Sequence, residues 1–475
     1  MKTKKQILLI FVIGLLISCG FCLQSQAAVF YIAPHGNDTS AGTKKSPWAT
    51  FTRAMLSMRP GDTLYLEDGV YHPSVNSPLD IKVSGLKDKN ITFAALQNGK
   101  AVVYGDWARA LQIHNQAYVV VRGINFRNSG GEGNAHGFDI AGSRHITLER
   151  LIMNGASGAN AALISLAGSP YTLVEDCAVR GTARILINIY ESDHVTIRRC
   201  WCAWARNAAS QGDGVQVYGS NYVTVENCII EGQNGDASDG IAVWANTYNR
   251  SADHNRILGN IVIQSSSWAF QNISAQHLIT GNTFQNNVAM FSRLGIRQGG
   301  DDKMKFLNNT LYGISSQAYD ASAFKPDSPH DSGFTISLVS RNNSFVKDGM
   351  GICISGKFIG GINQAYNNYF DVRVPYCGIE SGKHDYRINP AYKYLEYGYG
   401  AFLMVPETLQ GKGENRGGIG ASILYRYLNG ALTRTPLWPW PMENRIKSEF
   451  GVSPTWASAG GLWKTLKRVY ASEYK

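Results

Sequence analysis

Short segments in which apolar and polar residues alternate return along most of this chain. Five of them are Tyr118-Val-Val-Val-Arg-Gly-Ile-Asn-Phe126, His145-Ile-Thr-Leu-Glu-Arg-Leu-Ile-Met153, Tyr171-Thr-Leu-Val-Glu-Asp-Cys-Ala-Val179, His194-Val-Thr-Ile-Arg-Arg-Cys-Trp-Cys202 and Tyr222-Val-Thr-Val-Glu-Asn-Cys-Ile-Ile230. Each reads as a strand, a turn residue and a second strand. Taking the turn residue as a marker gives Gly123, Arg150, Asp176, Arg199, Asn227, Asn260, Asn282, Asn309, Asn343 and Asn368, spaced by 22 to 34 residues. A period of two within the segments and of one coil between them predicts a solenoid whose neighbouring coils pair as parallel strands. The fold class expected is all-β, a right-handed parallel β-helix. A propeller has similar periods but needs four strands per repeat.

The six asparagine markers from Asn227 to Asn368 predict a stacked turn row whose amides bond along the solenoid, because asparagine tolerates left-handed turn geometry. Cys177, Cys200 and Cys228 recur at one place in the repeat and are expected as a second buried row beside the asparagines. Cys353 and Cys377, about one coil apart, are the pair to test for a disulfide, and the cysteine spacing fits no zinc pattern. Between the first strands, Trp48 to Met58 reads as a short amphipathic helix capping the open end of the solenoid. The repeat fades after about residue 372 into an irregular tail that includes Pro436-Leu-Trp-Pro-Trp-Pro-Met442. In that tail Trp438 and Trp440 either anchor the segment or grip sugar.

The organisation expected is an export leader over 1–27, the cap and first coils over 28–110, the repeats over 111–372 and the tail over 373–475. Lys2, Lys4 and Lys5 followed by the apolar run Ile7 to Ile17 have the form of an export signal too short to span a membrane. Leu16-Ile17-Ser18-Cys19 has the form of a lipobox with Cys19 as the lipidated residue, whereas Ser25-Gln26-Ala27 offers an ordinary cleavage site. Both readings place the mature protein outside the cytoplasm, in the periplasm, on the outer membrane as a lipoprotein, or secreted. The formal charge is +10, and loss of the three leader lysines leaves +7. In that compartment an acidic polysaccharide is the partner expected, with no nucleic acid and no membrane contact beyond a lipid anchor. A closed solenoid needs no partner for its core, so a monomer is expected.

The strand before each marker strand carries the candidate chemistry: Phe138-Asp-Ile140, Ile164-Ser-Leu166, Ile187-Asn-Ile189, Val215-Gln-Val217 and Ile241-Ala-Val243. Alternation turns the middle residues outward. The next outward position is Tyr190, Tyr218 and Trp244, a column of aromatic faces suited to pyranose rings, with Asn188, Gln216 and Asp139 beside it for hydroxyls. The opposing reading is that these rings cover the sheet beneath the tail. At the strand starts, Gln211-Gly-Asp-Gly214 and Asp236-Ala-Ser-Asp-Gly240 bring Asp213 and Asp239 onto adjacent coils with Asp236 nearby. Such carboxylates serve as an acid and base pair, as calcium ligands, or merely as ordinary Asp-Gly turns.

The opening Val29-Phe-Tyr-Ile-Ala-Pro-His-Gly-Asn-Asp-Thr-Ser-Ala-Gly-Thr43, with Ser46-Pro-Trp-Ala-Thr-Phe51 and Arg59-Pro-Gly-Asp-Thr-Leu-Tyr-Leu-Glu-Asp-Gly-Val-Tyr71, resembles that of bacterial parallel β-helix proteins, including pectate-lyase-like ones. Asp236-Ala-Ser-Asp-Gly-Ile-Ala-Val-Trp244 resembles the acidic strand of β-helix pectate lyases. That resemblance implies calcium held by Asp213, Asp236 and Asp239, a bridged uronate, and a lysine or arginine that removes the C5 proton. The following coil, Ser267-Trp-Ala-Phe-Gln-Asn272, has no lysine. The nearest cations are His254, Arg293, Arg297 and Lys303, and Arg293 is taken as the base. Asp327-Ser-Pro-His-Asp331 looks like the Asp-Pro-His motif of alginate C5-epimerases, with Ser328 where that motif has aspartate. The Asn-Thr-Asp pattern of β-helix polygalacturonases is not apparent. Together these features lead to a polysaccharide lyase-like enzyme acting on an acidic glycan by β-elimination. The alternatives are a noncatalytic glycan-binding or structural surface protein, a uronate C5-epimerase, or a glycoside hydrolase.

Overall fold

The computed structural model describes residues 26–451 except 77, 107–108, 129–134, 157–160, 205–210, 233–236, 246–249, 275–278, 323–336, 356–360 and 394–396. The leader with Cys19, the third acidic residue Asp236 and the Asp327–Asp331 motif lie outside the described residues. The chain winds as a right-handed parallel β-solenoid of three sheets. Sheet I has thirteen strands, from Val29–Ile32 to Ile362–Ala365; sheet II has twelve, from Gly69–Tyr71 to Asn368–Phe370; sheet III has twelve, from Leu79–Ile81 to Val374–Cys377. Each strand pairs in parallel with its counterpart one coil away, as Phe138 with Ile164 and Ile187 with Val215.

The period-two pattern explains the core. Phe138, Ile140, Ile187, Ile189, Val215, Val217, Ile241 and Val243 are all buried, while Asp139, Asn188 and Gln216 between them face outward. The capping helix runs over Phe51–Ser57, with the Thr50 hydroxyl accepting from the Arg53 N–H. Its buried Phe51 and Ala54, with Trp48 and Met58, close the first coil. Gly36 and Gly42 are required here, since a Cβ would come 2.0 Å from the Trp48 carbonyl oxygen and 2.4 Å from its ring, respectively.

The stacked turn between sheets I and II differs from the expected row. The bonded ladder is Asn260, Asn287, Asn309, Asn343 and Asn367, each amide Nδ2 donating to the next Oδ1 at 3.0–3.1 Å. Asn227, Asn282 and Asn368 stand outside it. Asn227 has φ +50° and occupies the position before the inward one, where Arg150, Asp176 and Arg199 also have positive φ. The cysteines are the start of the same row, because the Cys228 N–H donates to Asn260 Oδ1. Asn282 belongs to the turn between sheets III and I, where its Oδ1 accepts from the Asn255 N–H. There Ser143, Ser169, Ser192 and Ser220 continue the pattern through their hydroxyls.

Cys353 and Cys377 form a disulfide between adjacent strands of sheet III. The tail packs on sheet II: Phe402, Ile423, Leu437, Trp438, Trp440 and Ile446 form a second apolar core with Ile152, Trp201, Ile229, Ile261 and Met290. Trp438 and Trp440 are buried in it, and the Trp438 indole N–H donates to the Ile423 carbonyl at 2.7 Å. They anchor the tail. Among the described residues no helix is long and apolar enough to cross a membrane.

Candidate active site on the outer face of sheet III

Strands Gln211–Tyr218 and Ala237–Trp244 lie side by side, with Asp213 paired to Asp239, Val215 to Ile241 and Tyr218 to Trp244. The Asp-Gly steps are therefore inside strands rather than turns. The glycines explain how the carboxylates reach the outer face. A Cβ on Gly214 would lie 2.5 Å from Ile230 Cγ2, and one on Gly240 would lie 2.5 Å from Val262 Cγ1, so both positions point into the core. With Val215 and Ile241 also inward, alternation breaks by one residue. Asp213 is swung onto the side of Gln216, whose amide donates to it.

Both carboxyls are nearly covered, Asp213 being 4% and Asp239 7% exposed. Burial raises both above the usual carboxylate range, Asp239 to about 6 and Asp213 well above its ordinary value. For Asp213 the neighbouring Asp239 charge adds to the rise, because two anions this close cannot both stay ionised. Asp239 is held lower by the Trp268 N–H, which donates to its Oδ1 at 2.9 Å, by Ser267 and by the charge of Arg297. Burial and mutual repulsion thus favour retention of a proton by the pair, more strongly at Asp213 than at Asp239.

The cation acting on Asp239 is Arg297 and not the expected Arg293. Arg293 is exposed on the turn before strand Leu294–Gly299, where its backbone N–H donates to the Ser265 carbonyl. Arg297 stands within that strand, in register with Gln271, and its guanidinium lies 6.0 Å from the Trp268 ring centre. The signal in the sequence was alternation: Ile296 is inward, so Arg297 is outward. Arg184 adds a second positive charge near Asp213.

Tyr190, Tyr218 and Trp244 form one column, in register across three strands. Tyr190 and Tyr218 stack with centroids 5.5 Å apart. The described part of the tail covers sheet II, not these rings. Asn188 and Gln216 pair in the adjacent column. Asn188 Oδ1, Gln271 Oε1 and Trp244 Nε1 have no hydrogen-bond partner among the described residues.

Calcium takes six to eight oxygen ligands. The described residues offer two carboxylates, each already accepting a hydrogen bond, under the field of two arginines, and no group of three or more His, Cys, Asp or Glu among them is disposed to hold a metal. By themselves they do not make a calcium site, and Asp236, the third expected ligand, lies outside them.

Comparison with known proteins agrees with the architecture. The family described as "Pel9A-like, right handed beta helix region" matches residues 30–178, and "Right handed beta helix region" matches 162–386. The uncharacterized protein YwoF of Bacillus subtilis (strain 168) is 29% identical over 130 residues, 25% of this chain and 27% of that protein. The chain therefore matches about a quarter of that relative's length. Among solved structures, XylC in complex with xylose superposes with a TM-score of 0.51 at 11% identity, over 76% of this chain and 87% of that one. A rhamnogalacturonan lyase gives 0.45 at 14% identity, over 89% and 98%. The chain is a right-handed parallel β-helix repeat protein that resembles the pectate-lyase-like superfamily.

Proposed function

We propose that this protein is a carbohydrate-active enzyme that binds an acidic polysaccharide across the outer face of sheet III and cleaves it at the Asp213–Asp239 pair by β-elimination. The observation that carries the reading is the buried aspartate pair with Arg297 acting on Asp239 and Arg184 on Asp213, since cations converging on paired carboxyls are what an enzyme needs and a purely binding surface does not. Tyr190, Tyr218 and Trp244 supply the stacking faces, and the basic balance of the chain suits an anionic glycan. XylC, which shares the fold, is described as a complex with xylose, so sugar handling on this scaffold has a structural precedent.

In this mechanism Arg297 neutralises the uronate carboxylate, which acidifies the adjacent C5–H. The ionised Asp239 takes the C5 proton. The electron pair forms the C4–C5 double bond, the C4–O bond breaks, and the protonated Asp213 gives its proton to the departing oxygen. No step involves calcium. A second reading is hydrolysis: one protonated and one ionised carboxyl are the parts a glycosidase uses, and a carboxylate is a weak base toward carbon.

The test is incubation of purified protein with pectate, alginate, glycosaminoglycans and xylan, following the ultraviolet absorbance of unsaturated uronates and the release of reducing ends, with calcium or chelator. Absorbance rising with reducing ends supports elimination. Reducing ends alone support hydrolysis, and neither on any substrate removes the enzyme reading. Loss of activity under chelator would restore calcium through residues such as Asp236. The basic, apolar leader is proposed to export the protein to where such glycans occur. The size of the mature chain and lipid labelling at Cys19 test that.

A further inference from the structure

A second group of polar side chains lies on the outer face of sheet III, toward the N-terminal end. His114 Nε2 is 3.2 Å and Arg109 Nε 3.6 Å from Asp139 Oδ2. The Gln112 amide nitrogen is 3.2 Å from His114 Nδ1. His136 accepts the Ala162 N–H on Nδ1 at 3.0 Å, which leaves Nε2 as the donor in its neutral form. The carboxylate is 15% exposed beneath the Arg109 and His114 side chains, which are 45% and 38% exposed. Exposed ion pairs add little to stability, so holding up the fold accounts poorly for this arrangement. A fixed acceptor ringed by oriented donors matches the adjacent hydroxyls, or hydroxyl and carboxylate, of a sugar.

Strand register ties this group to the candidate active site. Asp139 pairs with Ser165, Ser165 with Asn188 and Asn188 with Gln216, which bonds Asp213. Three strand spacings amount to about 14 Å, a length that about three pyranose residues cover. In the next column the order is His114, Ala141, Ala167, Tyr190, Tyr218, Trp244. The two alanines leave the floor between the polar group and the aromatic rings without bulk.

We propose that Arg109, His114, His136 and Asp139 form a distal subsite that holds a sugar residue of the same chain, about three residues from the bond cleaved. This rests on the reading of the sheet III face as a glycan track. It makes affinity depend on chain length: trimers occupy the aromatic column, and hexamers reach both sites.

The test uses the full chain carrying D213N, to prevent turnover, and titrates it by calorimetry with tri- and hexasaccharides of galacturonate and of alginate, alone and combined with H114A/D139A or with the milder D139N. Hexamers are expected to bind the D213N chain at least tenfold more tightly than trimers, and H114A/D139A to abolish most of that difference, with D139N intermediate. A hexamer advantage that survives both changes overturns the subsite, as does the absence of any advantage. Cleavage by the unmodified chain is scored separately. Cleavage without a length advantage removes the subsite alone, whereas a length advantage without cleavage removes the enzyme reading alone.

Discussion

Asp213 and Asp239 face each other in register across two adjacent parallel strands, each delivered to the outer face by a glycine that turns inward behind it. The arrangement is a buried carboxyl pair built from two copies of one local sequence, Asp-Gly followed by an apolar residue.

Replacing either aspartate by asparagine keeps the shape and removes the proton exchange. D213N and D239N are expected to lower turnover by at least a hundredfold, a typical contribution of a positioned acid or base, while circular dichroism stays native-like and unfolding stays cooperative. Near-normal rates in both variants would remove the pair from the chemistry.

The raised Asp239 value fixes a direction for stability. Between about 4, where an unfolded aspartate titrates, and about 6, the folded pair holds a proton that the unfolded chain has released, so stability falls as pH rises through that window. Two units correspond to at most about 3 kcal/mol. Urea denaturation from pH 4 to 7 should show this slope reduced in D239N, and an unchanged slope would mean that the Asp239 carboxyl is not raised in the folded chain.

Arg297 acts on charge and position together. R297A is expected to raise KM and lower kcat on an acidic glycan, with R297K recovering part of the rate because the charge returns without the planar fork. R293A should leave both constants within about twofold, as expected for an exposed turn residue away from the pair. The reverse order of effects would restore Arg293 as the functional cation.

Y218A and W244A each remove a ring from the open column. Each should weaken oligosaccharide binding by roughly tenfold, on the order of 1.4 kcal/mol, with little change in stability. Binding that survives both substitutions would place the glycan elsewhere.

Asn309 sits in the middle of the turn ladder, donating to Asn343 and to the Phe284 carbonyl while accepting from Asn287. N309A leaves buried partners on both sides unsatisfied and should cost about 2–4 kcal/mol in equilibrium unfolding. N282A tests the corrected register, because its bonds lie in the other turn, with Asn255, Ala252 and Asn272. A D301N variant is informative beside it: Asp301 is buried, raised to about 7 and bonded by Asn272, so neutralising it should stabilise the fold above pH 7.

The sequence by itself determined the solenoid, the capping helix, the Cys353–Cys377 pairing as a candidate and the outward positions of sheet III. All of these depend on local alternation or on a repeat of roughly constant length. The tertiary structure decided which residues share a column. Coils here differ by as much as twelve residues, with the extra residues placed at different turns, so counting from one marker to the next lost the register at Asn227, Asn282 and Asn368. For the same reason the sequence offered Arg293 where strand pairing brings Arg297. It also left Arg109, His114 and His136 unremarked: Arg109 and His114 stand 30 and 25 residues before Asp139, and only lateral pairing of the strands brings them to it. The tail, whose composition is irregular, carried no signal for the sheet it covers. That choice depended on which face of the folded solenoid presents Trp201, Ile229, Ile261 and Met290 as one apolar surface.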